Sequence, residues 1–225
     1  MTPIVVRAAS VAGLALAATA AWADSPLYET GPAADSSFVR FLNATDAEIA
    51  IVGAKGRYRL ALPARNEARV SKFHPAIAGR KLLASIQAGG RTLPVEVVAK
   101  PGEYVTVAVI AAAAPAPKLH LIREIPADYS ASRSSIALAN ADPACAEASL
   151  SGGAQNVPIF EGVRPFDVKR RLVNPVQVAA RIACAGAPEH QPVEFGQLQA
   201  GERYSAFLIP VAGGRAAFVV RDQTF

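Results

Sequence analysis

Much of what marks an enzyme or a nucleic-acid binder is missing from this chain. Charged residues make up 18% of the 225 and aromatic residues 7%, and the formal net charge is +5. A balance that mild excludes a nucleic-acid-binding protein, because gripping a phosphate backbone requires concentrated positive charge. The three histidines, His74, His120 and His190, have no cysteine, aspartate or second histidine at metal-ligand spacing, which excludes a zinc site. There is no Gly-x-Ser-x-Gly nucleophile elbow. Three positions before the histidines stand Ser71, Pro117 and Ala187, so the Asp-x-x-His half of an SGNH-type esterase site is absent. No glycine-rich loop opens a helix, because no stretch carries helical periodicity. These absences predict a protein that is not an enzyme and holds no cofactor and no metal.

Long apolar runs are also scarce. Past the N-terminus the longest is Val105–Ala114, which proline stops well short of the roughly 20 residues a helical span needs. The mature chain is therefore expected not to span a membrane. Residues 1–23 have the layout of a secretory signal peptide. Met1–Arg7 carries one positive charge, Ala8–Ala20 is small and apolar, and Ala21-Trp22-Ala23 forms an A-x-A cleavage site. No cysteine follows that site, so no lipid anchor of the bacterial lipoprotein kind is expected.

Two cysteines remain, Cys145 and Cys184. An even count in an exported protein favours a disulfide, and closing that loop would contribute about 4 kcal/mol on a chain-entropy estimate. Two unpaired buried thiols are the alternative.

What the chain does have is the period of β-strands. Val105, Val107 and Val109 alternate with Tyr104, Thr106 and Ala108 after a Pro101-Gly102 turn. Leu82–Gln87 and Thr92–Val98 flank Ala88-Gly89-Gly90-Arg91 as the arms of a hairpin. Val176, Val178, Ala180, Ile182 and Cys184 share one face of a later strand.

The strands also repeat. Ser36-Ser37-Phe38-Val39-Arg40-Phe41-Leu42-Asn43-Ala44 lines up with Ser134-Ser135-Ile136-Ala137-Leu138-Ala139-Asn140-Ala141, placing Asn43 over Asn140 at an offset of 97. Pro94-Val95-Glu96 returns as Pro192-Val193-Glu194 at an offset of 98, and Pro101-Gly102-Glu103 as Ala200-Gly201-Glu202 at 99. An offset that creeps upward is what small loop insertions produce. The expected fold is all-β: two tandem β-sandwich domains of immunoglobulin-like or carbohydrate-binding-module-like type, residues 24–125 and 134–225, with a linker at 126–133. Each copy is about the size of a seven-strand sandwich.

Charge is clustered. Between Lys55 and Lys81 eight basic residues face Glu67 alone, and Arg164, Lys169, Arg170 and Arg171 face only Asp167. Arg57, Arg59, Arg65, Arg69, Lys72, Lys169, Arg170 and Arg171 are therefore the candidate basic binding surface for an anionic polymer or an acidic partner. The alternative is that they are ordinary solvated faces of strands and loops. The surface reading predicts that reversing Arg57, Arg59 and Arg69 to Glu weakens partner binding and leaves the fold intact.

The stretch Leu27–Ala44, LYETGPAADSSFVRFLNA, resembles the start of mature proteins of the alginate O-acetylation (AlgF) family, and Val173-Asn174-Pro175-Val176 resembles an Asn-Pro-Val step ahead of that family's C-terminal strand. A related protein serves cellulose acetylation, so the resemblance implies alginate or a cellulose-type polymer. It implies a periplasmic adaptor that does not itself carry acetyl groups. Its partners would be periplasmic SGNH-type acetyltransferases, a membrane-bound O-acyltransferase and the anionic polysaccharide itself. It carries over no catalytic residues. A stand-alone secreted carbohydrate-binding module is the alternative.

Overall fold

The computed structural model describes residues 36–111, 117–127, 129–153, 155–187 and 189–225. The expected signal peptide and the Leu-Tyr lead-in lie outside the described residues. Two β-sandwich domains account for nearly everything else. The first is built from β1 (Ser36–Ala44), β2 (Ile49–Gly53), β3 (Arg59–Leu62), β4 (His74–Ile77), β5 (Lys81–Ala88), β6 (Arg91–Val98), β7 (Tyr104–Ile110) and β8 (Lys118–Glu124). The second uses β9 (Ser134–Asn140), β10 (Ala148–Gly152), β11 (Val157–Val163), β12 (Val168–Val173), β13 (Gln177–Cys184), β14 (His190–Gln197), β15 (Arg203–Val211) and β16 (Gly214–Arg221). Each copy thus has eight strands rather than seven, because an extra edge strand completes each inner sheet.

The two domains have the same topology. The first pairs a sheet β4-β1-β7-β8 with a sheet β3-β2-β5-β6, and the second pairs β12-β9-β15-β16 with β11-β10-β13-β14. In each, the first strand runs parallel to the seventh, β1 with β7 and β9 with β15. The expected hairpin is β5–β6, closed by Gly89 and Gly90 at φ 56° and 73°. Two consecutive left-handed residues suit a turn that follows the strand twist, and glycine adopts them at no steric cost.

Superposing the registers shows how the repeat aligns. Phe38 pairs with Tyr104 in one copy and Ser135 with Arg203 in the other, so the offset is 97 along β1/β9 and 99 along β7/β15. Asn43 and Asn140 then coincide, and so do their roles. Asn43 donates from its amide to the carbonyls of Ala47 and Leu62 and accepts from the Thr45 N–H. Asn140 donates to the carbonyls of Cys145 and Val163 and accepts from the Asp142 N–H. A fully buried amide with every bond made ties three loops to one strand end. The Ser-Ser alignment shifts by one: Ser37, not Ser36, coincides with Ser134, and Phe38 coincides with Ser135.

Cys145 and Cys184 form a disulfide, with their Cα atoms 5.6 Å apart. Cys184 ends β13 on its core side, as the strand phase predicted, and the bond fastens the β9–β10 loop to it; Val176, expected on the same face, instead precedes β13 and is exposed.

Each sandwich has its own core: Val39, Phe41, Ile51, Ile86 and Val107 in the first, Ile136, Leu138, Leu150, Ile182 and Phe195 in the second. A third core joins the domains. Leu42, Ala108, Ile110 and Ile122 from the first meet Ala139, Phe207, Ile209 and Phe218 from the second. The sheets β4-β1-β7-β8 and β12-β9-β15-β16 therefore pack face to face. This explains why every residue of β7 and of β9 is buried. Their outward positions read as a half-solvated strand, but they cover the other domain.

Candidate functional site

The seam between the domains holds polar chemistry as well as apolar. At one end of the third core sits a bracket of charged side chains, all at most 15% exposed: Arg40, Glu124, Arg170, Arg203 and Asp222. Arg40 lies on β1 between Phe38 and Leu42, on the face that leaves its own domain. Its Nη1 donates to Asp222 Oδ1 of the second domain at 2.6 Å, its Nε to Thr106 at 2.9 Å and its Nη2 to Ser205 at 3.2 Å. Arg170 on β12 does the reverse. Its Nε donates to Glu124 Oε1 of the first domain at 2.5 Å, and its Nη2 to Asp222 Oδ2 at 2.8 Å. Each domain thus contributes one arginine that grips the other's carboxylate.

Glu124 and Asp222 occupy equivalent places in the repeat. Glu124 pairs with Tyr104 in the β7–β8 ladder, and Asp222 bonds back to Arg203, which is the equivalent of Tyr104. Thr106 and Ser205 are likewise equivalent. The arginines are not: Ala137 stands where Arg40 would be, and Phe73 where Arg170 would be.

Aromatic faces complete the bracket. The Arg40 guanidinium lies 4.3 Å from the Phe73 ring centroid and 4.9 Å from that of Phe207. Burial alone would raise the Asp222 pKa, but Arg40, Arg170 and Arg203 outweigh it and hold the carboxyl at about 2. It is ionised throughout the physiological range.

The predicted basic surface divides. Arg170 is part of the bracket and Arg69 is buried, so neither belongs to a surface. Arg69 closes a 3-10 turn, Asn66–Arg69, and donates from Nη1 to the carbonyls of Asn43 and Thr45 at 3.0 and 2.6 Å. It satisfies chain ends that β1 leaves open, which is why a cation turns inward there. The other six are exposed and lie on several different elements. Arg57 is on the β2–β3 hairpin tip. Arg59 lies on the outer sheet, bonded to Gln87, and Arg65 precedes the 3-10 turn. Lys72 lies beside the C-terminal residues. Lys169 and Arg171 project from edge strand β12, where Lys169 donates to the Glu161 carbonyl. Tertiary folding disperses a run that was one-signed in sequence.

Two further surfaces emerge that sequence reasoning missed. The C-terminal residues cross back to the first domain, where Thr224 bridges Phe73, and this places Phe225 on His74 with ring centroids 4.4 Å apart. Tyr58 adds a third ring, its hydroxyl 3.0 Å from His74 Nε2. Lys72 Nζ lies 5.5 Å from the Phe225 centroid. Tyr58 is 39% and Phe225 66% exposed, so the trio forms an open aromatic platform with a cation at its rim. Burial lowers the His74 pKa from its ordinary value, leaving the ring neutral at pH 7. The second surface is a cavity of about 290 Å³ beside the bracket, walled by Tyr129, Arg133, Ser135, Leu172, Glu202 and Arg203.

One signal for the seam was readable. Arg40 stands alone in Phe-Val-Arg-Phe-Leu, and a cation on an otherwise apolar strand demands a buried partner. Nothing local marks Tyr58 and Phe225 as neighbours, since 167 positions separate them (225 − 58).

Among the described residues no group of three or more His, Cys, Asp or Glu could hold a metal ion, and no helix is long and apolar enough to cross a membrane. No protein-family model matches the chain. No curated protein matches it either. Two solved structures show a distant likeness. One is the Bacillus anthracis TIE protein, at 11% identity and a TM-score of 0.26, covering 78% of this chain and 34% of that one. This chain spans about a third of that protein's length. The other is a putative cell adhesion protein from Bacteroides ovatus, at 7% identity and a TM-score of 0.27, covering 85% of this chain and 97% of that one.

Proposed function

We propose that the protein is an exported, non-catalytic adaptor for O-acetylation of an exopolysaccharide, alginate in the first instance, working in the periplasm. Its partners are SGNH-type acetyltransferases and a membrane-bound O-acyltransferase, with the anionic polymer held beside them. The observation that carries this reading is the seam. Two sandwiches fixed by an apolar core and reciprocal arginine–carboxylate grips make one body, whose two outer sheets stay free to meet different partners. A scaffold needs that rigidity, whereas two modules on a loose tether do not. The Leu27–Ala44 resemblance supports the acetylation role, and the Cys145–Cys184 disulfide fits an extracellular or periplasmic compartment.

Cells lacking the protein should make polymer with its acetyl esters reduced to background, and the oxidised wild-type chain should restore them and co-purify with an acetyltransferase. Unchanged ester content, or turnover of an acetyl-ester donor by the purified protein alone, would end the adaptor reading.

The Tyr58–His74–Phe225 platform with Lys72 at its rim favours a second reading, a carbohydrate-binding module. Aromatic faces stack on sugar rings, and an ammonium suits a uronate. Titration with polyuronate, beside a pull-down of the acetyltransferases, separates the two: polymer binding with no protein captured favours the module. Saturable binding that Tyr58→Ala and Phe225→Ala abolish would support the module.

A further inference from the structure

Among the described residues the buried bracket contains three guanidinium groups and two carboxylates, which leaves one positive charge over. That charge is on Arg203. Asp222 accepts from Arg40, Arg170 and Ser205, and Glu124 accepts from Arg170 through both oxygens. Arg203 Nη2 stands 3.7 Å from Glu124 Oε1, beyond hydrogen-bonding distance. Its Nε, Nη1 and Nη2 are all buried, and none has a hydrogen-bond partner among the described residues. Its faces are covered: the guanidinium carbon lies 4.6 Å from the Tyr104 centroid and 5.5 Å from that of Tyr129. Stacking satisfies the faces of a guanidinium and leaves its in-plane donors empty. Burial of such donors without acceptors is unfavourable, because nothing replaces the water they have lost.

Arg203 lines the cavity of about 290 Å³, whose other polar walls include two donors with capacity to spare, Arg133 and Ser135. Arg133 spends only Nη2, on the Leu172 carbonyl. Ser135 Oγ accepts from Arg170 Nη1 and keeps its own proton. Among the described residues the one acid in the wall is Glu202, which is bonded by Arg221 at Nε, and their ion pair closes to 2.5 Å. We propose that this cavity binds a monocarboxylate, taken in the plane of Arg203 as a forked pair and held by Ser135 and Arg133. A monoanion brings the bracket to neutrality. A dianion such as sulfate would overshoot it beside Glu124 and Glu202. The three Arg203 nitrogens have no open surface, so the ligand reaches them only if Tyr129, whose ring covers the guanidinium from the connector between the domains, turns aside. The volume takes anything from acetate to a single uronic-acid residue, each carboxylate sharing the same chemistry. This proposal does not rest on the adaptor reading.

The test is calorimetric titration of the oxidised mature chain with sodium acetate and with glucuronate at constant ionic strength, with glucose and sulfate as controls. Saturable one-site binding of a carboxylate, with glucose and sulfate weaker by about tenfold or more, is expected. Acetate alone would mean a small free acid, and glucuronate alone a sugar acid. Arg203→Gln should weaken binding at least about tenfold, Arg133→Gln a few-fold, and Tyr129→Ala should leave it unchanged or tighter. Should Arg203→Gln fail to fold by circular dichroism, Arg133→Gln decides, and undiminished affinity there overturns the site. The proposal also fails if neither wild type nor Tyr129→Ala saturates, if sulfate matches the carboxylates, or if a folded Arg203→Gln binds normally.

Discussion

Replacing Asp222 with asparagine keeps the shape of the side chain and removes only its charge and one acceptor. The carboxylate receives Arg40 Nη1 at 2.6 Å, Arg170 Nη2 at 2.8 Å and Ser205 Oγ at 2.9 Å, with its side chain 3% exposed. An amide accepts through one oxygen only, so at least one of the two arginine bonds must break. Arg40, Arg170 and Arg203 would then share Glu124 alone. Breaking a buried ion pair by removing one partner costs about 3–5 kcal/mol, because the stranded charges stay desolvated. For a chain of this size that corresponds to a fall in Tm of roughly 6–20 °C. The only tryptophan in the sequence, Trp22, lies in the expected signal peptide, so thermal melts are best followed by far-UV circular dichroism or calorimetry. The wild type should unfold in one transition, since the domains share a core, and Asp222→Asn should lower that transition or split it. Glu96→Gln breaks the exposed pair with Lys81 and serves as control, with an expected change of at most about 1 kcal/mol. A shift for Asp222→Asn no larger than the control's would refute the claim that the bracket holds the domains together.

Acid should act through the same group. The folded pKa of Asp222 is depressed to about 2 from an ordinary 3.8, so its contribution is complete above pH 4 and disappears as pH falls towards 2. That amounts to about 2 kcal/mol, readable as a Tm that drops over that window in wild type and is flatter in Asp222→Asn. Asn43→Ala and Asn140→Ala each orphan two buried carbonyls and a backbone N–H, and each should cost about 2–3 kcal/mol in urea melts. Near-equal losses would confirm the equivalence, and a silent Asn140→Ala would break it. Arg69→Glu should unfold or severely destabilise the first domain, whereas Arg57→Glu and Arg59→Glu should leave the melt unchanged and affect only partner capture.

The architecture was legible because strands announce themselves by period and this chain states its unit twice. Asn43 over Asn140 and Pro94 over Pro192 were visible offsets, and the structure gives each pair the same place in its ladder. The extent of burial was not legible. Val105–Val109 carries apolar residues on both faces, and a single alternating strand does not say whether the second face meets water or another domain. The cationic run misled for a related reason. Arg69 and Arg170 differ from Arg57 and Arg171 only in which side of the backbone they leave and what waits there. That depends on residues about 25 positions away for Arg69, and about 50 for Arg170. The spare guanidinium of Arg203 was harder still, since it takes four partners from both domains to show that a fifth is lacking.

The seam joins like to like: the same sheet of each copy, with Glu124 opposite Asp222 and Thr106 opposite Ser205. That is the geometry of a two-fold homodimer, contained here in one polypeptide. Once the two halves are covalently joined, a substitution on one side is no longer copied onto the other. Arg40 can stand opposite a plain Ala137, and the grips can become reciprocal without being identical. A symmetric pair must present the same outer surface twice. This chain is released from that constraint, and its two ends can specialise for different companions while their shared middle stays as it was.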